Sequence, residues 1–300
     1  MAVRFECNGR PIEVAEVDPH VSLLSWLRAS GRTGTKEGCA EGECGACAVA
    51  CIERDVHGRV CFTPVNSCLV PLAAAHDRSF VTVEGVADGW PDLHPVQAAL
   101  VERGGSQCGY CTPGFVMSLF CEYYRPDRDG YDPDAISGNL CRCTGYRPIV
   151  EAAAQLTAPE PSDPHLAQLA RAEPKLHAFG LRSGALQYVR PASLAELFER
   201  WQLHPRATLI AGGTDLMVYA NQKHTRYETL LALDAVSELH QLRETDQELS
   251  LGAALPLSHL EHVLPYGPAL LAQLWPRFSS RLIRNRATLG GNLATASPIG

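Results

Sequence analysis

The sequence has no apolar run long enough to cross a bilayer, which argues against a membrane as a partner. Its first residues, Met1 to Glu6, lack the basic-then-apolar build of an export signal, so a cytoplasmic setting is expected. There is no surplus of positive charge: 26 Lys and Arg against 33 Asp and Glu leave a net charge of −7, which disfavours nucleic acid and anionic membrane surfaces. No Walker loop, Rossmann fingerprint or Gly-x-Ser-x-Gly elbow is present. No pair among the 11 histidines has metal-ligand spacing on a predicted helix, and no nucleophile sits with a base. No residue is therefore assigned as catalytic.

Cysteine, in contrast, is abundant. A secreted disulfide scaffold would be short and carry an export signal, whereas 12 cysteines in a 300-residue chain from a reducing compartment point to metal ligands. The chain is organised around Gly38-Cys39-Ala40-Glu41-Gly42-Glu43-Cys44-Gly45-Ala46-Cys47. The spacing Cys-x4-Cys-x2-Cys with a distant fourth cysteine is that of plant-type 2Fe–2S sites, and Cys68 supplies the fourth. Glycines in the loop permit positive φ angles and let backbone N–H groups approach the sulfurs. Zinc also takes four thiolates, but zinc ribbons pair short knuckles at both ends, and here a compact triple faces one distant partner. A second set follows: Cys108-Gly109-Tyr110-Cys111 and Cys141-Arg142-Cys143. Cys7, Cys51, Cys61 and Cys121 are left over and read as small buried hydrophobes or incidental thiols.

Three hundred residues, 46% of them hydrophobic, suffice for two domains or three small ones. Residues 1–85 predict a hairpin across Asn8-Gly9, an amphipathic helix bearing Leu23, Leu24 and Leu27, and strands at 48–52, 60–62 and 80–83. Residues 86–157 turn helical. Helices are predicted at 94–103, after a Thr112 cap with Pro113 at the first position, from the Asp132 cap toward Leu140, and at 149–156. Two helix starts thus follow cysteine pairs, and their positive ends suit an anionic cluster. Residues 158–186 are Pro-rich and polar and read as a linker, interrupted by a short helix at 166–172. The third unit, 187–300, opens with a capping box at Ser193 and Glu196, and another is predicted at Ser258 and Glu261. A strand at 207–211 runs into Gly212-Gly213-Thr214-Asp215, a turn able to cradle phosphate, and Thr288-Leu289-Gly290-Gly291-Asn292 offers a second glycine turn.

With these units in place, the chain resembles the small, electron-transfer subunits of bacterial xanthine dehydrogenases within the molybdenum hydroxylase family. The resemblance rests on the two cysteine sets and runs from residue 1 to residue 300. It implies an α+β multidomain fold: a β-grasp 2Fe–2S ferredoxin domain, an all-α four-helix 2Fe–2S domain, then an α+β FAD-binding (PCMH-type) domain, truncated. The two 2Fe–2S clusters would be held by Cys39, Cys44, Cys47 and Cys68, and by Cys108, Cys111, Cys141 and Cys143. FAD would lie on Leu209, Ile210, Ala211, Gly212, Gly213, Thr214, Asp215 and Leu216, with Thr288, Leu289, Gly290, Gly291 and Asn292. Phe278 aligns with an aromatic residue near the isoalloxazine, an ordinary core Phe being the other possibility. Gln107 aligns with a residue facing the pterin, or is a solvated side chain.

The resemblance also implies a partner, a large molybdopterin-binding chain in a heterotetramer of two small and two large subunits. Electrons from purine hydroxylation there would pass through both clusters to FAD and on to NAD. Alternatives are the equivalent subunit for an aldehyde, nicotinate or another heterocycle, a zinc-stabilised module, or a free ferredoxin-like carrier. The sequence ends at Gly300, inside the second flavin motif, where relatives continue with Asp; a fragment or an incomplete flavin site is therefore expected.

Overall fold

The computed structural model describes residues 2–87, 91–245, 247–264 and 273–297; the Pro298–Gly300 end of the second flavin motif lies outside them. The Asn8-Gly9 hairpin forms as predicted, with both residues at positive φ (52° and 71°) joining β1 (Val3–Cys7) to β2 (Arg10–Val14). Helix α1 (Leu23–Ala29) starts at Ser22, whose hydroxyl accepts from the Ser25 N–H. Strands β3 (Ala48–Arg54), β4 (Val60–Asn66) and β5 (Ser79–Val81) complete a five-stranded sheet in the order β2-β1-β5-β3-β4. Strand β5 runs parallel to β1 at the centre, and Val3, Phe5, Leu23, Leu27, Val49 and Phe80 fill one face. This is the expected β-grasp.

The helical unit covers the other face of that sheet. Ala48, Ala50, Ile52 and Phe62 of the sheet meet Phe115, Val116, Leu119 and Phe120 of α3 (Thr112–Tyr123). Burial on one side by the sheet and on the other by α2 (Pro95–Glu102) and α4 (Arg147–Ala154) explains why α3 is apolar almost all round. Two details differ from expectation. Cys111, not Thr112, occupies the cap position of α3, with Thr112 and Pro113 in its first turn. The helix predicted from Asp132 to Leu140 is only a single 3₁₀ turn, Pro133–Ile136. Gly138, at φ 86°, then bends the chain so that Asn139 reaches the Gly45 carbonyl, a tertiary bond that continued helix would forfeit.

The stretch read as a linker contains α5 (Pro164–Arg171) and β6 (Phe179–Ser183). Strand β6 pairs with β7 (Leu186–Arg190) in a four-stranded sheet, order β6-β7-β9-β8, with β8 at Thr208–Ile210 and β9 at Thr229–Ala232. Helices α6 (Leu194–Leu203), α7 (Leu216–Gln222) and α8 (Leu257–Val263) follow, with short helical turns at Arg281–Arg284 and Leu289–Ala294. Ser193 caps α6 as predicted, but the reciprocal half of the box does not form: Glu196 accepts from the N–H of Ala192, one residue before the cap. The second box does not form. Leu257 N–H donates to Ala287 O and starts α8 behind Pro256, so Ser258 lies inside the helix and Glu261 turns to Arg284.

Buried arginines join the units. Arg190, fully buried, donates to Asp77 (2.7 Å) and to the His76 and His177 carbonyls. Arg78 holds Glu53 and Asp234. Arg281 reaches Asp132 (2.7 Å) and Asp134 (2.8 Å), and the buried Arg284 meets Asp134 and Glu261. Burial alone would raise the Asp134 pKa, but Arg281 and Arg284 more than offset it and hold it below 3.8. A carboxylate depressed in this way stabilises the fold in full above about 3.8, and that contribution is lost as pH falls through the folded value. The seam between the flavin unit and the helical unit is therefore expected to loosen below about pH 3.8, seen as faster hydrogen exchange at Pro133–Ile136 and Arg281–Arg284. Arg284→Met, which leaves Glu261 without a cation and Asp134 with Arg281 alone, is expected to cost about 3 kcal/mol in urea unfolding at neutral pH.

Candidate functional site

The eight motif cysteines form two sites, and in each the thiols fall into pairs. In the first site Cys39 accepts from the Cys44 thiol, and Cys47 lies 3.3 Å from Cys68. In the second, Cys108 pairs with Cys143 and Cys111 with Cys141. Among the described residues, no three His, Cys, Asp or Glu side chains converge as a single-ion site. Four cysteines taken two and two is the donor set that a binuclear 2Fe–2S core would use, two for each iron.

Electrostatics separates these cysteines from the other four. Burial pushes up the thiols of Cys7, Cys51 and Cys121, and that of Cys61 to about 11. In every motif pair, one partner is instead pulled down. Cys39 falls to about 4, through the Cys44 thiol and the N–H groups of Glu41, Cys44 and Glu43. Cys47 falls through its contact with Cys68, and Cys108 through the Tyr110 N–H. Burial would raise Cys141, yet the Thr144 hydroxyl and N–H bring it down to about 7. The other member of each pair, Cys44, Cys68, Cys111 or Cys143, is pushed up, so within each pair one sulfur is favoured as the thiolate and the other keeps its proton.

The loops owe their shape to glycine at a few positions. A Cβ on Gly38 would lie 2.6 Å from the Cys44 sulfur. Gly45, at φ 67°, accepts from Asn139 Nδ2, and a Cβ on Gly114 of α3 would stand 2.2 Å from its carbonyl oxygen. The two sites are also tied directly: Leu140 N–H, one residue before Cys141, donates to the Cys44 carbonyl at 3.0 Å, and Tyr110 OH donates to Glu37 O. In the first site Cys47 and Cys68 are buried and Cys39 and Cys44 half-buried, while in the second Cys108 and Cys143 are exposed, as is Gln107.

The two predicted flavin turns come together. Ala211–Asp215 links β8 to α7, and Gly212 packs so closely on the Arg286 carbonyl that a Cβ would lie 1.7 Å from its oxygen. Thr288 is buried, and its hydroxyl accepts from the Gly291 N–H at 3.0 Å, holding Leu289–Ala294 in place. A cavity of about 520 Å³ opens beside both turns, lined in part by Ala211, Gly212, Asn285, Arg286 and Thr288. Arg286, one of the lining residues, has a buried Nε without a hydrogen-bond partner, its Nη1 being 4.0 Å from Glu53. An orphaned buried cationic donor beside two glycine turns suits a dinucleotide's phosphates. Leu209 is exposed, Ile210 buried, and Leu216 partly buried. Phe278 packs against the apolar cluster of Leu255, Leu257, Leu260 and Trp275.

Sequence reasoning misses the groups that hold the loops. Asn221 Nδ2, on α7, donates to the carbonyls of Ala40 (2.8 Å) and Cys68 (2.9 Å), and Gln222 Nε2 donates to Cys39 O. Asn66 Nδ2 holds Gly42 O at 2.8 Å, and Tyr146 OH accepts from the Cys141 N–H at 3.0 Å. An Asn-Gln pair at a helix end carries no sequence signal beyond solvation.

Comparison with known proteins matches residues 5–72 to the 2Fe-2S iron-sulfur cluster binding domain, 82–154 to the [2Fe-2S] binding domain, and 183–300 to the FAD binding domain in molybdopterin dehydrogenase. The chain is 33% identical to the xanthine dehydrogenase of Emericella nidulans, over 99% of this chain and 26% of that one. It is 31% identical to aldehyde oxidase 3 of Mus musculus, over 98% and 26%. Among solved structures, quinoline 2-oxidoreductase of Pseudomonas putida 86 is 32% identical, covering 57% of this chain and 96% of the other, at a TM-score of 0.43. The chain spans about a quarter of the length of the curated relatives it matches.

Gly38→Ala drives a methyl into the Cys44 sulfur and leaves the second site untouched. Iron analysis is expected to fall from about four to about two per chain, as loss of one of two 2Fe–2S clusters requires.

Proposed function

The chain belongs to the molybdenum hydroxylase family, as its iron–sulfur and FAD portion, and on that premise we propose that it relays electrons from a molybdopterin-bearing partner to NAD while that partner hydroxylates hypoxanthine and xanthine to urate. The proposed ligands are Cys39, Cys44, Cys47 and Cys68 for one 2Fe–2S cluster and Cys108, Cys111, Cys141 and Cys143 for the other. Residues 209–216 and 288–292 are proposed to hold FAD. Phe278 is proposed as its aromatic neighbour, and Gln107 as a residue turned toward the partner's pterin.

When bound, the clusters supply one-electron redox chemistry and FAD the exchange between one- and two-electron carriers. The chain's own residues hold and tune these groups. N–H groups of Glu41 and Cys44 point at the Cys39 sulfur (3.5 and 3.4 Å) and stabilise its negative charge. Gly42, Gly45 and Asn66 shape the loop, and Leu24, Leu69, Met217 and Ala220 keep water from the Cys47–Cys68 pair. The observation that best supports a relay is the middle position of the Cys39–Cys47 loop. It is bonded to Leu140 of the second cysteine site on one side and to α7, just past the first flavin turn, on the other.

Xanthine as substrate is supported by xanthine dehydrogenases among the relatives at 33% identity, and an aldehyde by aldehyde oxidases at 31%. The exposed Cys108 and Cys143 edge is the proposed side of the molybdopterin chain, with two copies of each chain in the assembly. Anaerobically purified protein is expected to be red-brown, with about four iron, about four sulfide and bound flavin per chain. A colourless protein holding zinc would refute the relay. Once the protein is assembled with its partner, xanthine is expected to drive NAD reduction faster than aldehydes or quinoline do. The reverse order would move the assignment to another substrate within the family.

A further inference from the structure

Helix α7 is short, and both of its ends meet something that matters to the relay. It leaves the Ala211–Asp215 turn at Leu216 and runs along the first cysteine site. Met217 and Ala220 pack in one apolar cluster with Cys47 and Cys68. At its far end, the two N–H bonds of the Asn221 amide are both used, one on the carbonyl of the ligand Cys68 at 2.9 Å and one on that of Ala40 at 2.8 Å. Ala40 sits next to Cys39 and has a positive φ of 56°, a conformation a non-glycine residue keeps only when its surroundings hold it. Among the described residues, no other side chain donates to either carbonyl.

We infer that Asn221 is a positioning residue for the first iron–sulfur site. Resting on the relay reading above, it fixes the Cys39 and Cys68 segments relative to the flavin turn and makes that cluster easier to reduce. The reasoning is electrostatic. A cluster on four thiolates is an anion and gains a further negative charge on reduction. Two carbonyl oxygens beside it are dipoles of the wrong sign for that added charge, and the amide N–H groups compensate them in a half-buried setting that screens them less than open solvent does. Gln222 Nε2 on Cys39 O does the same at the exposed rim, where solvent screens it, and so contributes less. Because one seven-residue helix carries the flavin turn at its start and this clamp at its end, the distance between the two redox groups is set within a single rigid element.

The test uses the full chain, purified anaerobically with both clusters in place. Asn221→Leu keeps the volume and removes both donors without adding a charge; Gln222→Ala removes the exposed donor to Cys39 O. Midpoint potentials are read by EPR-monitored titration, the first-site signal being identified by its loss in Cys68→Ser. Asn221→Leu is expected to retain iron and flavin, to shift the first-site midpoint negative and to leave the second site unmoved. Gln222→Ala is expected to shift the same signal in the same direction by less. If the first-site midpoint is unchanged in Asn221→Leu, or both sites shift equally, the inference is overturned. Should Asn221→Leu shed its iron, Asn221→Ser, which also cannot reach both carbonyls, is titrated in its place and judged by the same criteria. Absence of iron and sulfide from the unaltered chain would instead strike at the relay reading itself, so the two failures are told apart.

Discussion

Three glycines meet where a side chain would not fit. Gly45 of the first cysteine loop, Gly114 in the first turn of α3, and Gly138 after the 3₁₀ turn bring backbone against backbone, and a Cβ on Gly45 would lie 2.4 Å from Gly138 O. Because that contact is so close, Leu140 N–H reaches Cys44 O and Asn139 reaches Gly45 O. Two thiol loops distant in sequence thereby become neighbours, with the Leu140 N–H bonded directly to the Cys44 carbonyl. Everything else in the helical unit is arranged to keep this approach. Residues of α3 bury against the ferredoxin sheet, Ser118 steadies the Asn139 amide at 2.7 Å, and the chain abandons helix at Gly138 to make the turn.

On the other side the approach is governed by buried cations. Arg78, Arg190 and Arg284 each cross from one unit to the next, and each is fully or almost fully out of solvent. Burying a guanidinium is costly, and apolar packing of the same volume would often be as stable. What an arginine adds is direction: its fork accepts only a planar arrangement of carboxylates and carbonyls, as Arg190 shows with Asp77, His76 and His177. For units that must present redox groups to one another at fixed separation, that directional demand matters more than net stability.

Much of this was legible in the sequence where the signal is local. The Asn8-Gly9 hairpin and the Ser193 cap of α6 each depend on residues within a few positions, and each appears as expected. The failures share a cause. The Asp132–Leu140 segment has an N-cap and a tolerable helical pattern, but a distant carbonyl at Gly45 competes for Asn139. Ser258 and Glu261 have capping-box spacing, but Ala287 and Arg284, brought in by the fold, take their places. Asn221 looks like any polar residue at a helix end, and only the folded chain shows that its amide spans two carbonyls of the cysteine loop. Ligands are written in sequence because metal chemistry restricts their type; their supports are not, since many polar side chains could serve.

The unequal enclosure of the two cysteine sites bears on how the protein ages. Cys47 and Cys68 are sealed beneath α7, whereas Cys108 and Cys143 stand in solvent. Thiolates at an open edge are the first to be taken to sulfenic and sulfinic acid, or to close as a disulfide, once the inorganic core is stripped. By exposure, thiol oxidation would begin at Cys108 and Cys143 before it reached Cys47 and Cys68. A surface that covered that edge would shield it from corrosion as well as being a neighbour.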